Sequence, residues 1–132
     1  MVGFATDEPG SQRMPPGFGI FYPSVGNFIG LVSNVRSWKL LNLFKTKMKD
    51  VEHLEVESLT MPLNGILLPQ TRLSDHSPFW DAGYPALLIT GTSFYRNPHY
   101  HGPSDTFETL NLDFMLKVTK GVTEALIALD KS

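Results

Sequence analysis

An α/β fold follows from three features of the sequence. The segment "YPALLITGTS" (84–93) is nearly continuous in apolar residues, as expected of a strand covered on both faces of a parallel sheet. Two further segments carry apolar residues at helical spacing. The first has Val35, Trp38, Leu41, Phe44 and Met48; the second has Phe114, Val118, Val122, Leu126 and Leu129. An apolar strand among amphipathic helices is the pattern of one α/β domain. A chain of 132 residues, 42% hydrophobic and 18% charged, is long enough for one core and short for two.

Taken in order, "MVGFAT" (1–6) predicts the tail of a buried strand, broken off by Pro9 and Gly10. Pro15, Pro16, Gly17 and Gly19 punctuate a loop over 9–19. "GIFYPSVGNFIGLVSN" (19–34) is apolar, but Pro23, Gly26 and Gly30 interrupt it and no element is assigned there. A helix follows, with Asn34 as N-cap and Lys45, Lys47 and Lys49 near the negative end of its dipole. Its five spaced apolar residues are read as core, because one apolar stripe is what a packed surface helix needs. "HLEVESL" (53–59) predicts a strand with one wet face. Residues 60–78 are loop-rich, and "SPFWDAG" (77–83) predicts a short helix stopped by Gly83. After the apolar strand comes the irregular stretch "FYRNPHYHGPSD" (94–105), then a long terminal helix over 111–130.

Composition excludes some functions. The formal net charge of −2 gives no reason to expect nucleic acid or an anionic membrane as partner. Without cysteine there are no disulfides, no zinc–cysteine sites and no thiol catalysis, and no compartment follows from that lack. No apolar run approaches the roughly 20 residues that span a bilayer. "MVGFATDEPGSQ" has neither the basic start nor the apolar stretch of a signal peptide, so localisation stays open.

In α/β sheets, chemistry gathers on loops at the carboxyl ends of strands. Two loops qualify: one carries Asp75 and His76, the other His99, Tyr100, His101 and Asp105. Asp75 and His76 form either an orienting pair or an N-cap with a neighbour. His99 and His101 flank Tyr100 and point the same way in an extended chain. They are either a two-histidine metal site or one wet face of a loop. Asp105, before Thr106, is read as the start of a turn, and His53 as an exposed surface residue.

The wording of these loops is more specific than their spacing. Ser74-Asp75-His76, Pro78-Phe79, Gly83, Tyr100-His101 and Asp105-Thr106 lie in "SDHSPFWDAGYPALLITGTSFYRNPHYHGPSDTFETLNLDFMLKVTKGV". In that order they resemble the end of the co-catalytic zinc aminopeptidases, in the family that also holds glutamate carboxypeptidase-like enzymes. "MVGFATDEPGSQ" and "VGNFIGLVSN" resemble that family's middle section, so the likeness covers nearly the whole chain. It implies the C-terminal part of a three-layer αβα zinc-peptidase (phosphorylase/hydrolase-like) fold, with a mixed sheet and a long terminal helix. It also implies two zinc ions bridged by a carboxylate and a water, a glutamate general base, and a peptide substrate with a free N-terminus.

Carried over residue by residue, the resemblance makes His101 a metal ligand. Asp105 becomes a candidate to hold that imidazole's tautomer. Tyr100 would offer its hydroxyl to substrate or oxyanion, or pack, while Asp75 and His76 would shape the pocket wall and touch substrate, or be structural. The family's other ligands have no counterpart here: a histidine-x-aspartate step, a glutamate-glutamate pair, and an acid directly before a stretch like Met1-Val2-Gly3. One histidine cannot hold a hydrolytic zinc. Residues 1–132 are therefore expected to be a single incomplete peptidase-like domain, inactive alone and without tightly bound zinc. An exposed sheet edge would favour self-association. Two departures stand out: many relatives carry an acid at the position of Gly91 and threonine at that of Gly102. Two other readings remain. One is a short non-catalytic homologue serving as a binding domain. The other is a glutaminyl-cyclase-like zinc transferase, which would have tryptophan-histidine where this chain has Tyr100-His101.

Overall fold

The centre of the sheet is the segment that carries no clear period in the sequence. In a computed structural model that describes residues 1–131, β1 (Phe28–Asn34) lies between β2 (Glu55–Met61) and β3 (Leu87–Thr90). Gly30 interrupts the apolar run for a steric reason: a Cβ there would sit 3.2 Å from the Thr90 carbonyl oxygen on the neighbouring strand. β1 and β2 are parallel, in register from Phe28 opposite Glu55 to Asn34 opposite Met61. β3 runs antiparallel to β1, with Gly30 opposite Thr90 and Ser33 opposite Leu87. The sheet is therefore mixed. The expectation of a parallel strand buried on both faces is corrected: β3 is four residues long, antiparallel, and half-buried throughout.

"MVGFAT" is no strand either. It makes single hydrogen bonds to three separate places, which is a strap rather than a ladder. Its Met1 carbonyl accepts from the Gly91 N–H at 2.7 Å, its Gly3 carbonyl from Asn111 at 2.8 Å, and its Thr6 N–H donates to the Gly26 carbonyl at 3.0 Å.

Two long helices supply the core. Asn34 caps the short 3-10 turn Val35–Ser37, its Oδ1 accepting from the Ser37 N–H at 2.9 Å and the Ser37 hydroxyl at 2.6 Å. α1 (Trp38–Lys49) begins only after that turn. This is why Leu41, Phe44 and Met48 of the expected stripe are buried while Val35, in the 3-10 turn, and Trp38, the first residue of α1, are exposed. α3 (Leu112–Asp130) is capped by Asn111, whose Oδ1 accepts from the Phe114 N–H at 2.9 Å. Its buried line is Phe114, Val118, Gly121 and Ala125, with Val122 at the margin; Leu126 and Leu129 lie off it and are exposed. These two helices pack on the sheet face formed by Ile29, Leu31 and Val56. Each such aliphatic side chain contributes about 1.5–3 kcal/mol by leaving water. The short α2 (His76–Asp81) follows the irregular 62–75 region.

Residues that alternate to the other face of the sheet, such as Gly30, Val32, Leu59, Leu88 and Thr90, line an open cleft instead of a second helical layer. The described residues thus hold a sheet and one helical layer. None of the described helices is long and apolar enough to cross a membrane.

Candidate functional site

The cleft has a volume of about 340 Å³. Its floor is the open sheet face, and three stretches of loop wall it in. They contribute Phe18 and Tyr22, Leu73 and Ser74, and Phe94, Tyr95 and Tyr100 to its lining. The Tyr22 hydroxyl donates to the Ser58 carbonyl at 3.1 Å. Burial, with a smaller effect of the nearby Glu57 carboxylate, pushes that phenol above its ordinary range, so it stays protonated.

The 94–105 stretch is a chain of tight turns rather than extended backbone. The N–H groups of Tyr100, Gly102 and Asp105 donate to the carbonyls of Asn97, His99 and Gly102 at 3.3, 2.8 and 3.1 Å. The Asn97 side chain accepts from the His99 N–H at 2.9 Å. His99 and His101 accordingly take different neighbours. The His99 Nδ1 lies 3.0 Å from the Ser104 hydroxyl, and its ring meets Phe4 edge-on at 6.0 Å. His101 is exposed, in the left-handed backbone region (φ 56°), with its ring 4.1 Å from that of Tyr100. Tyr100 lines the cleft, and His101, next to it in the chain, does not. Asp105 is exposed, and no hydrogen bond joins it to His101 among the described residues. Nor do the described residues contain any cluster of three or more His, Asp or Glu side chains that could hold a metal ion.

The other loop separates its two candidates. Asp75 is exposed and its side chain makes no capping bond to α2. His76 is buried, edge-on to Trp80 with ring centroids 4.4 Å apart. Its Nε2–H donates to the Thr71 carbonyl at 2.7 Å, which leaves Nδ1 buried and without a partner among the described residues. His76 thus braces, from behind, a stretch whose Thr71, Leu73 and Ser74 face the cleft. Arg72 clamps the same stretch, donating to the Asn64 carbonyl and the Asp81 carboxylate, each at 2.6 Å. That guanidinium holds Asp81 below the usual carboxylate range.

His76 makes folding pH-dependent. Burial, above all, lowers its pKa from the ordinary 6.5; the bond to Thr71 opposes this and the Arg72 charge adds to it, with Asp75 opposing weakly. Below about pH 6.5 the unfolded chain takes up a proton that the folded chain refuses, so stability is full above that pH and falls as pH drops through it. We expect the unfolding midpoint of the native chain to fall between about pH 7 and pH 5. In His76→Gln, whose amide can still donate to Thr71, the fall should be shallower; an unchanged slope, followed by circular dichroism, would assign the titration elsewhere.

Sequence reasoning passed over two buried polar residues beside the cleft, Arg96 and Gln12, which are 3% and 4% exposed. The Arg96 Nε–H donates to Gln12 Oε1 at 2.8 Å, and an Nη1–H donates to the Phe28 carbonyl at 2.7 Å. The two departures noted above have consequences here. A Cβ on Gly91 would lie 3.5 Å from Arg96 Nη1, and a Cβ on Gly102 would lie 3.1 Å from the His99 carbonyl oxygen.

Comparison with known proteins gives three likenesses. Residues 21–126 match the family model described as "Peptidase family M28". The chain is 35% identical over 127 residues to "Uncharacterized protein YfbL" of Escherichia coli (strain K12), covering 96% of this chain and 38% of that protein. Its fold is similar to that in the crystal structure of the Legionella pneumophila LapA aminopeptidase, with a TM-score of 0.61 at 20% identity. That match covers 98% of this chain and 29% of the other. The chain spans well under half the length of either relative.

Proposed function

The chain belongs to peptidase family M28, and from that premise we propose that it is one part of a zinc-dependent, aminopeptidase-like hydrolase, carrying one wall of the active-site cleft. The observation that supports this best is the Tyr100-His101 step, which sets an exposed imidazole beside a phenol that lines an apolar, peptide-sized hollow. In this reading His101 gives one imidazole to the metal set of the complete protein. Tyr100 faces the substrate, a peptide with a free N-terminus, and Asp75 belongs to the outer rim.

The donor set of this chain does not fit a catalytic zinc by itself. Such a site takes about three protein ligands, and no cluster of three His, Asp or Glu side chains is found among the described residues. No hydrolytic step is therefore derived for these residues on their own. We expect the purified chain to release no nitroaniline from leucine p-nitroanilide in the presence of zinc. In a zinc titration followed by NMR, the His101 ring resonances should shift before those of the buried His76. Zinc-dependent hydrolysis that disappears in His101→Ala would mean that the catalytic set is complete here, contrary to the proposal. A His101 ring indifferent to zinc would remove it from the ligand set.

A further inference from the structure

A positive charge is buried beneath one end of the cleft, and no acid among the described residues neutralises it. The acceptors that Arg96 uses, Gln12 Oε1 and the Phe28 carbonyl, are both uncharged. Gln12 Oε1 also lies 2.9 Å from the Thr92 hydroxyl, whose single proton has the Gly91 carbonyl at 2.7 Å as its other acceptor. The guanidinium lies 4.5 Å above the Phe28 ring, and its Nη2 is buried with no partner among the described residues. No ion pair of the described residues includes Arg96. Burial lowers its pKa to about 10, which still leaves it protonated at neutral pH. A buried ion with neither counter-charge nor full hydrogen bonding is among the costliest features a fold can carry.

The surroundings indicate what would relieve it. Gln12, Phe28, Thr92 and Met1 all border the cleft, so the guanidinium lies just beneath its surface at that end. Beside it Gly91 offers no side chain, and the Met1 methyl lies 3.1 Å from where a Cβ at 91 would stand. That methyl is the end of a flexible side chain and can swing aside. We propose that this end of the cleft is a carboxylate-binding site, in which the free Nη2 edge of Arg96 receives the carboxylate of a small organic acid or of a short peptide. Arginine suits the task because its planar donors match a carboxylate and its charge persists. The site needs no metal and no hydrolysis, so it stands or falls apart from the peptidase reading.

Thermal unfolding of the full chain at constant ionic strength tests this, with sodium acetate exchanged for sodium chloride. The midpoint should rise by a few degrees and saturate, because acetate binds the folded state alone. N-acetyl-leucylglycine acting at lower concentration than acetate, with its C-terminal amide inert, would identify a peptide as the source. Equal potency of acetate and peptide would identify a small acid. Arg96→Met should abolish the response. Should that variant fail to fold, Gly91→Asp against Gly91→Ala decides: an internal carboxylate at 91 should raise the midpoint above that of the alanine variant and remove the acetate effect. Equal effects of acetate and chloride on the native chain, or an acetate response that persists in Gly91→Asp, would overturn the proposal.

Discussion

Trp80→Ala is expected to destabilise the chain by about 4 kcal/mol, as truncation of a fully buried tryptophan does. The side chain is 1% exposed and joins several segments at once. Its indole N–H donates to the Ala86 carbonyl at 3.0 Å, just ahead of β3, while its own carbonyl accepts from the Asn64 amide at 3.1 Å. Its ring meets His76 edge-on and lies close enough to Gly65 that a Cβ there would be 3.5 Å from it. Alanine would leave both a cavity and an unpaired carbonyl, and the two costs add. The 62–75 region would lose its anchor, and with it the Leu73–Ser74 wall of the cleft. Urea unfolding followed by far-UV circular dichroism measures the effect, since the remaining Trp38 is exposed and reports poorly on the core. A loss under about 1 kcal/mol, the range of an ordinary substitution, would show that this region does not pack as described.

Gly121→Val is expected to cost about 3 kcal/mol, by overpacking rather than by emptying a site. Gly121 is buried in α3 where that helix crosses α1. A Cβ at this position would lie 3.0 Å from the Met48 Cγ, 3.1 Å from its Cα and 3.2 Å from its Cβ. Met48 is fully buried and cannot turn away into solvent. Gly121→Ala gains about 1 kcal/mol of helix propensity against the same contact, so its net change should be small. Valine adds two methyl groups, and the helices must separate. Pairing Gly121→Val with Met48→Ala should restore only part of the loss, because the α1 backbone itself is among the near neighbours. A valine variant as stable as the native chain would mean that the two helices pass farther apart than this.

Both sites bear on how much can be read from the residues alone. The periodic segments are legible: α1, α3, α2, β2 and the apolar run containing β3 all lie near their expected places. β1 is not, because Gly26 just ahead of it and Gly30 within it interrupt the apolar stretch, and both glycines serve contacts that the local sequence does not display. Gly26 makes room for the Arg96 side chain, whose Cγ would lie 2.9 Å from a Cβ there, and Gly30 for the Thr90 carbonyl. The direction of β3 was hidden for another reason. An apolar run reports burial, not strand polarity, and here the burial is shared between helices on one face and loops on the other. At the cleft, the Tyr100-His101 step was legible as a motif. The turn that gives His99 and His101 separate neighbours was not. Arg96 was least legible of all: arginine is exposed by default, and its burial depends on Gln12, far away in the chain.

The pairing of α1 with α3 also governs the order in which this chain can fold. β1 and β2 with α1 between them form a local unit, but the part of the apolar side of α1 that the two strands leave open is covered by a helix more than sixty positions later. β3 likewise joins β1 across a long span, Leu87 opposite Ser33. Contacts of such separation slow folding toward the millisecond-to-second range. Until α3 is made, a nascent chain carries Leu41, Phe44 and Met48 covered on the sheet side alone, which is the interval in which a chaperone or another unfinished chain can capture it.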